Sequence, residues 1–315
     1  MFCVLIYRYK QNITYIKKEV IQMAFNIYQE ITNRIIEQLE HGYIPWLKPW
    51  TGVKEGAFNR ITKKPYSLLN QMLLKHDGEY ASFKQWINLG GKIKKGEKAE
   101  MVVFWKVFHK EETNQQGEKV DKFIPMLRYI NVFHISQVEG VEPLNKDELK
   151  SHKPIEEAEK IKNGYVEREN FLIQERVTNE AFYSPLRDFI QVPCKEQYTD
   201  VIEFYSTLFH EMIHSTGHMS RLNRFDEHSK LATFGSEDYS KEELIAEIGS
   251  ATLMNLIGIE TEKTFKNSAA YIQSWLKVLK NDNKFIVSAS SKAEKAVKYI
   301  LGEEVNYDDS TKTAA

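Results

Sequence analysis

His210-Glu211-Met212-Ile213-His214 lies inside the run Val201 to Ser215, and its reading decides the fold of this half of the chain. Leu208, Met212 and Ile213 recur at helical spacing, so the run predicts an α-helix with those residues packed inward. On a helix, positions i and i+4 share a face, which aims both imidazoles at one point. Two histidine nitrogens on one cation, an open coordination position and a carboxylate at Glu211 to hold and deprotonate a water are the parts of a hydrolytic Zn²⁺ site. The bland rival is an amphipathic helix carrying two ordinary histidines. Gly217, just past His214, is a natural helix stop.

A catalytic zinc commonly takes a third protein ligand. His218 is the nearest candidate in sequence. The metzincin spacing is met by Gly217 but fails at Ser220, where histidine is required, so His218 reads as a residue of the site's rim and an alternative ligand. A better source is Ser240 to Ala251. Leu244, Ile248 and Ala251 mark a helix there, and Glu243 and Glu247 share its face. Carboxylates among apolar residues are costly unless paired or bound to metal. By analogy with the gluzincin order, Glu243 is the expected ligand and Glu247 the acid supporting a ligand histidine; the reverse assignment stays open. Ser240 with Glu243 also fits a capping box, a rival explanation for Glu243.

With 315 residues, the chain has material for two domains. Its net charge of −1 points to no partner. Two cysteines, Cys3 and Cys194, make neither a disulfide framework nor a zinc ribbon, so the expected compartment is the cytoplasm. Met1 to Tyr7 is apolar but is interrupted by Arg8 and Lys10, which argues against a signal peptide or membrane anchor. Lys17-Lys18-Glu19-Val20-Ile21 can be encoded by a purine-rich ribosome-binding sequence, so residues 1–22 are expected to be a translated leader before a start at Met23.

Phe25 to Glu40 has the stripe Ile27, Ile31, Ile35, Leu39 of an amphipathic helix, closed by His41-Gly42. Tyr43 to Trp50 is an aromatic, proline-containing loop. Short helices are expected at Ser67 to His76 and from Ser82 to Gly90-Gly91. Met101 to Phe108 and Met126 to Ile135 are strand-like around a polar tip, Glu111 to Lys122. The polar stretch Glu139 to Lys153 marks a boundary. Beyond it, Pro154 to Ile161 predicts a helix and Phe171 to Val177 and Phe189 to Val192 predict strands, with Pro185 and Pro193 confining the second to an edge. Helices follow at 197–216, 241–257, 267–280 and 284–300. Phe182 to Val192 is the candidate edge strand beside the metal helix, where a substrate backbone could pair.

In the N-terminal half, Trp46, Trp50, Tyr66, Phe83, Trp86, Phe104 and Trp105 interleave with Lys48, Arg60, Lys63, Lys64, Lys84, Lys92, Lys94, Lys95 and Lys98. Lysines neutralise phosphates and exposed aromatics stack on unpaired bases. Gly90-Gly91-Lys92-Ile93-Lys94-Lys95-Gly96 is a flexible basic turn, not a P-loop. The rival explanation is that the aromatics are core and the lysines merely solvated.

These residues carry a resemblance. Ile44-Pro45-Trp46 with Lys48-Pro49-Trp50, Pro65-Tyr66, Ser82-Phe83-Lys84-Gln85, Lys94-Lys95-Gly96-Glu97, Val132 to Gly140, His210 to His214, Thr216-Gly217-His218, Phe234-Gly235 and Glu242 to Glu247 are similar to the antirestriction proteins of the ArdC type, found on conjugative plasmids and related mobile elements. The match runs from about Tyr28 to Ile257. It departs at Ser67-Leu68-Leu69, where the family tends to have a small, glycine-containing segment. The resemblance implies an α+β chain: an N-terminal α+β domain binding single-stranded DNA at 23–140, a linker and helix at 141–165, and a mainly helical zincin-like metallopeptidase domain with a small sheet at 166–305, before a disordered tail at 306–315. It implies Zn²⁺ as cofactor, single-stranded DNA and an unidentified protein substrate as partners, and no membrane. The alternative is a zinc metalloprotease whose N-terminal domain recognises a protein substrate.

Overall fold

The structure is a computed structural model of the chain, in which residues 26–47, 56–113, 119–144, 154–225, 237–259 and 268–304 are described. The expected leader and Met23, Lys48, Trp50, the hairpin tip near Gln115, Phe234-Gly235 and the tail lie outside them. The fold is α+β. Helix α1 (Ile27–Glu40) is capped by Asn26, whose side chain accepts from the amides of Tyr28 and Gln29, and it buries Ile31, Ile35 and Leu39. A single 3-10 turn, Pro45–Leu47, follows. Next come β1 (Ala57–Asn59), α2 (Leu68–Leu73), β2 (Gly78–Ser82), α3 (Phe83–Asn88) and β3 (Lys92–Ile93). Ser82 and Gln85 form the capping box that starts α3.

Strands β4 (Glu100–Thr113) and β5 (Lys119–His134) form a long antiparallel hairpin, and β6 (Val138–Glu139) pairs with β3. The main sheet runs β1-β2-β5-β4. Pairing extends through Glu111 to Thr113, beyond the strand ends expected from sequence. Cross-strand contacts explain the extension: His109 Nε2 lies 2.7 Å from Asp121, and Lys119 Nζ lies 3.3 Å from Glu111.

Helix α4 (Pro154–Glu169) leads to a second sheet of β7 (Leu172–Arg176), β8 (Phe182–Ser184) and β9 (Phe189–Pro193), in the order β7-β9-β8. Phe182 to Val192 is therefore a hairpin, not one strand, and β9 is central where an edge was expected. Pro193 is tolerated because it ends the strand, where one missing amide matters little. Helices α5 (Val201–Ser215), α6 (Glu237–Leu256), α7 (Ser268–Asn281) and α8 (Phe285–Leu301) complete the chain.

One contiguous core joins the two halves of the sequence. Ile31, Ile35 and Leu39 of α1 and Leu68, Met72 and Leu73 of α2 belong to the same buried cluster as Leu208, Met212, Leu244 and Ile286. Trp46 meets Trp275 edge-on, with ring centroids 5.0 Å apart. Polar contacts pin the same seam: Thr32 Oγ1 donates to the carbonyl of Asn283 at 2.8 Å, and the Leu68 amide donates to Glu294 at 3.1 Å. No helix among the described residues is long and apolar enough to cross a membrane.

Candidate metal centre and nucleic-acid surface

Helix α5 starts at Asp200, whose carboxylate accepts from the Ile202 amide. Its far end needs partners for the last carbonyls. Arg221 Nε donates to the carbonyl of Ser215 at 2.8 Å, and Arg224 Nη2 donates to that of Ile213 at 2.8 Å. Gly217 lets Phe225 close over this end, since a Cβ there would lie 2.5 Å from the Phe225 ring. Gly249 serves α6 in the same way: a Cβ would lie 2.6 Å from Ile213 Cδ1, so glycine permits close approach of α5 and α6.

That approach brings His210, His214 and Glu243 together, with one ligand atom from each lying within 4.8 Å of the others. The two Nε2 atoms are 3.0 Å apart. Glu243 Oε2 is 3.4 Å from His210 Nε2, and Oε1 is 3.4 Å from His214 Nε2. Bonds of about 2.0–2.2 Å in a tetrahedral zinc site set ligand atoms about 3.3–3.6 Å apart. The donor set therefore fits a small divalent cation with little rearrangement. Two imidazole lone pairs facing each other at this distance repel unless a proton or a cation lies between them.

The outer nitrogens are also engaged. His210 Nδ1 lies 3.7 Å from Glu247, and His214 Nδ1 lies 3.5 Å from Glu242. Arg224 binds Glu242 at 2.6 Å and Thr216 Oγ1 at 2.6 Å. Burial pulls each imidazole down, but the facing carboxylates outweigh it: His210 rises, and His214 is carried to about 10 by Glu242 and Glu243. Burial alone would raise Glu242 and Glu243, yet Arg224 with His214 holds the first down and the two histidines hold the second well below the usual range. For Glu247 burial dominates and the carboxyl is pushed up. Each imidazole is thus set among carboxylates on both of its ring nitrogens, an arrangement that would orient it toward a bound cation.

Glu211 is 8% exposed and sits in the sequence beside the first of the converging histidines. Ser240 lies inside α6 rather than at its start, and its hydroxyl meets Ser274 at 3.3 Å, so the capping-box explanation of Glu243 fails. His218 falls in the turn after α5, with Nδ1 accepting from the Ser220 amide at 3.2 Å and lying 3.9 Å from Asp188. Among the described residues it is not part of the converging donor set. Sequence reasoning missed Glu242 as the partner of His214 and Arg224 as the partner of Glu242. Glu242 is adjacent to the expected ligand, but nothing in the helical pattern says that it turns toward His214.

The expected DNA-binding residues divide by burial. Trp46 is a core residue, 3% exposed and packed on Trp275, so its ring has no face left for a base. Arg60 pairs with Glu79, donates to the Glu142 carbonyl at 3.1 Å and lies 5.9 Å over Trp86, so its charge is committed within the fold. Tyr66 is half-buried against Tyr80, and burial pushes its hydroxyl up to about 12. Trp105 is half-buried against the main core. Lys63, Lys84, Lys92, Lys94 and Lys95 are exposed, and Lys94 Nζ donates to the Ser136 carbonyl at 2.8 Å. Phe83, beside Lys84, is 56% exposed.

Comparison with known proteins matches the chain in two successive segments. Residues 25–133 match the family model of the N-terminal domain of anti-restriction factor ArdC, and residues 162–292 match that of a zincin-like metallopeptidase. The crystal structure of the antirestriction ArdC protein from the R388 plasmid, in its Mn(II)-bound form, superposes with a TM-score of 0.70 at 30% identity, covering 90% of this chain and 100% of that one. The metal-free form gives 0.68 at 31% identity, over 89% and 100%. The DNA primase TraC of Escherichia coli is 33% identical over 299 residues, and the chain spans only 27% of its length. Two matched segments in this order, with whole-length likeness to a solved relative, place the chain in the ArdC antirestriction family.

Proposed function

We propose that this chain is an antirestriction protein that binds single-stranded DNA through its N-terminal half and carries a zinc peptidase site in its C-terminal half. The observation that carries the second part is the convergence of His210 Nε2, His214 Nε2 and Glu243, each within reach of a common cation. These side chains would hold Zn²⁺, with Glu247 and Glu242 fixing the orientation of the two imidazoles from behind. When bound, the ion supplies Lewis acidity toward a peptide carbonyl. Glu211 takes the proton of the attacking water on its carboxylate and returns it to the leaving amine. Strand β8 lies at a sheet edge and packs on α5, so an extended substrate can add to it by backbone pairing.

The first part is supported by the family membership and by the exposure of lysines 63, 84, 92, 94 and 95 and of Phe83, residue types that suit a phosphate backbone carrying unpaired bases. Such binding would shield entering DNA from host restriction in the cytoplasm. Glu211→Gln should keep stoichiometric zinc by metal analysis while abolishing peptide hydrolysis, and His214→Ala should lose the zinc. Retention of zinc by His214→Ala would dismiss the assigned centre. Lys94→Ala with Lys95→Ala should weaken oligonucleotide binding equally across sequences.

A further inference from the structure

Strands β4 and β5 continue as a two-stranded ribbon beyond the residues they bury at their base. Successive side chains point to opposite faces and cross-strand partners share a face, so the register sorts the ribbon into two sides. On the odd-numbered side, Met101, Val103 and Leu127 enter the main core and Trp105 packs against it. Farther out this side carries His109 against Asp121 and Lys119 against Glu111. On the even-numbered side, Val102 and Val132 belong to a smaller core at the root. Beyond them come Phe104, Lys106, Phe108 and Lys110, opposite Arg128, Met126, Ile124 and Lys122.

From Phe104 to Lys110 every ionisable side chain on the even-numbered side is cationic; Glu112, opposite Val120, is the next residue outward on that side, and Glu111 and Asp121 sit on the other. Lys106 and Arg128 come from opposite strands, yet their charges lie 5.4 and 5.2 Å from the Phe108 ring centre, which fixes them on one side. Both cations are exposed, and Met126 is 42% exposed beside them. Sheet packing explains the buried root but does not call for segregating charge along the free length. Phe104 to Lys110 spans about 20 Å at about 3.3 Å per residue, enough for several nucleotides.

We infer that this even-numbered face of the β4–β5 ribbon is a seat for single-stranded nucleic acid, an inference that rests on the DNA-binding reading above. Lys106 and Arg128 neutralise phosphates, and Phe108, with Phe104 and Met126, receives bases. A duplex keeps its base faces stacked inward, so it offers Phe108 nothing to stack upon; the occupant is the single strand. The seat lies on other strands than Lys84, Lys92, Lys94 and Lys95, and of the aromatic residues singled out in the sequence it takes only Phe104.

The test is fluorescence anisotropy of the full chain with a labelled oligo-dT across a salt series. Substituting Lys106→Ala with Arg128→Ala should lower the slope of log affinity against log salt by about 1.4, at roughly 0.7 per lost phosphate contact. Phe108→Ala should weaken binding roughly 5- to 100-fold with the slope unchanged. Glu111→Gln, on the other side, should leave affinity within twofold of wild type. Circular dichroism checks folding, and Lys106→Gln with Arg128→Gln repeats the test should the alanine pair unfold. If the ribbon variants bind like wild type while Lys94→Ala with Lys95→Ala does not, the seat is refuted and the DNA-binding reading stands. If the wild-type protein fails to bind the oligonucleotide at low salt, that reading falls first. Equal competition by a duplex would overturn the choice of occupant.

Discussion

Replacing Glu242 by glutamine isolates the support behind His214. The substitution keeps the side chain's size and one acceptor, and removes only its charge. Glu242 lies 3.5 Å from His214 Nδ1 and 2.6 Å from Arg224, whose side chain is 5% exposed. Two effects follow. The imidazole loses an anionic partner, which lowers its basicity toward a metal. Arg224 keeps its bonds to Ile213 and Thr216 but loses its buried counter-charge, and the end of α5 carrying His214 is less firmly held. Loss of one such outer partner typically costs 10- to 100-fold in metal affinity, or about 1.4–2.8 kcal/mol at about 1.4 kcal/mol per decade. Zinc affinity is measured by competition with a chromophoric chelator, alongside circular dichroism of the metal-free protein. Arg224→Met and the double variant complete a cycle, and the two single effects should be strongly non-additive because the residues act as a unit. Wild-type affinity in Glu242→Gln, within twofold, would refute the claim that Glu242 supports the centre.

Gly249→Ala should destabilise the protein by about 1–3 kcal/mol in urea unfolding and loosen zinc binding with it, because the new methyl meets Ile213. Trp46→Ala should cost about 3–5 kcal/mol of stability by removing a core ring; unchanged DNA affinity per folded molecule would confirm that the residue is structural. Burial would raise Glu159, but Lys162, Lys195 and Tyr205 outweigh it and hold the carboxyl at about 2, below its ordinary 4.5. Its folded value is depressed, so its contribution is present above pH 4.5 and fades as pH falls toward 2. Glu159→Gln should therefore be less stable than wild type by about 1 kcal/mol at pH 6, after allowing for solvent screening, with the gap closing near pH 2.

The metal centre was largely legible because its chemistry is local. One helical turn places His210 and His214, and the i,i+4 spacing of Glu243 and Glu247 survives into α6. What the pattern does not encode is which acid faces which nitrogen, and Glu242 turns toward His214 because Arg224 holds it from the end of the other helix. The nucleic-acid surface was less legible. Trp46 belongs to a motif that resembles a binding family and Arg60 to the basic residues interleaved with aromatics, yet tertiary contacts take both into the fold. Composition cannot distinguish an aromatic that stacks on a base from one that stacks on Trp275. The ribbon's two sides emerge only once the register pairs Phe104 with Arg128 and Lys106 with Met126. The prolines near β9 misled because their effect depends on position along the strand, and Pro193 falls at its end.

The seam between α1 and helices α7 and α8 bears on how this chain can be cut. Starting an expression fragment at residue 162, where the zincin-like match begins, would strip Ile31, Ile35, Leu39 and Trp46 from the helices they cover. The severed half would present a fresh greasy scar, and aggregation would be its default fate. Inactivity of such a fragment would therefore say little about the intact molecule, whose two halves share a single mechanical keel.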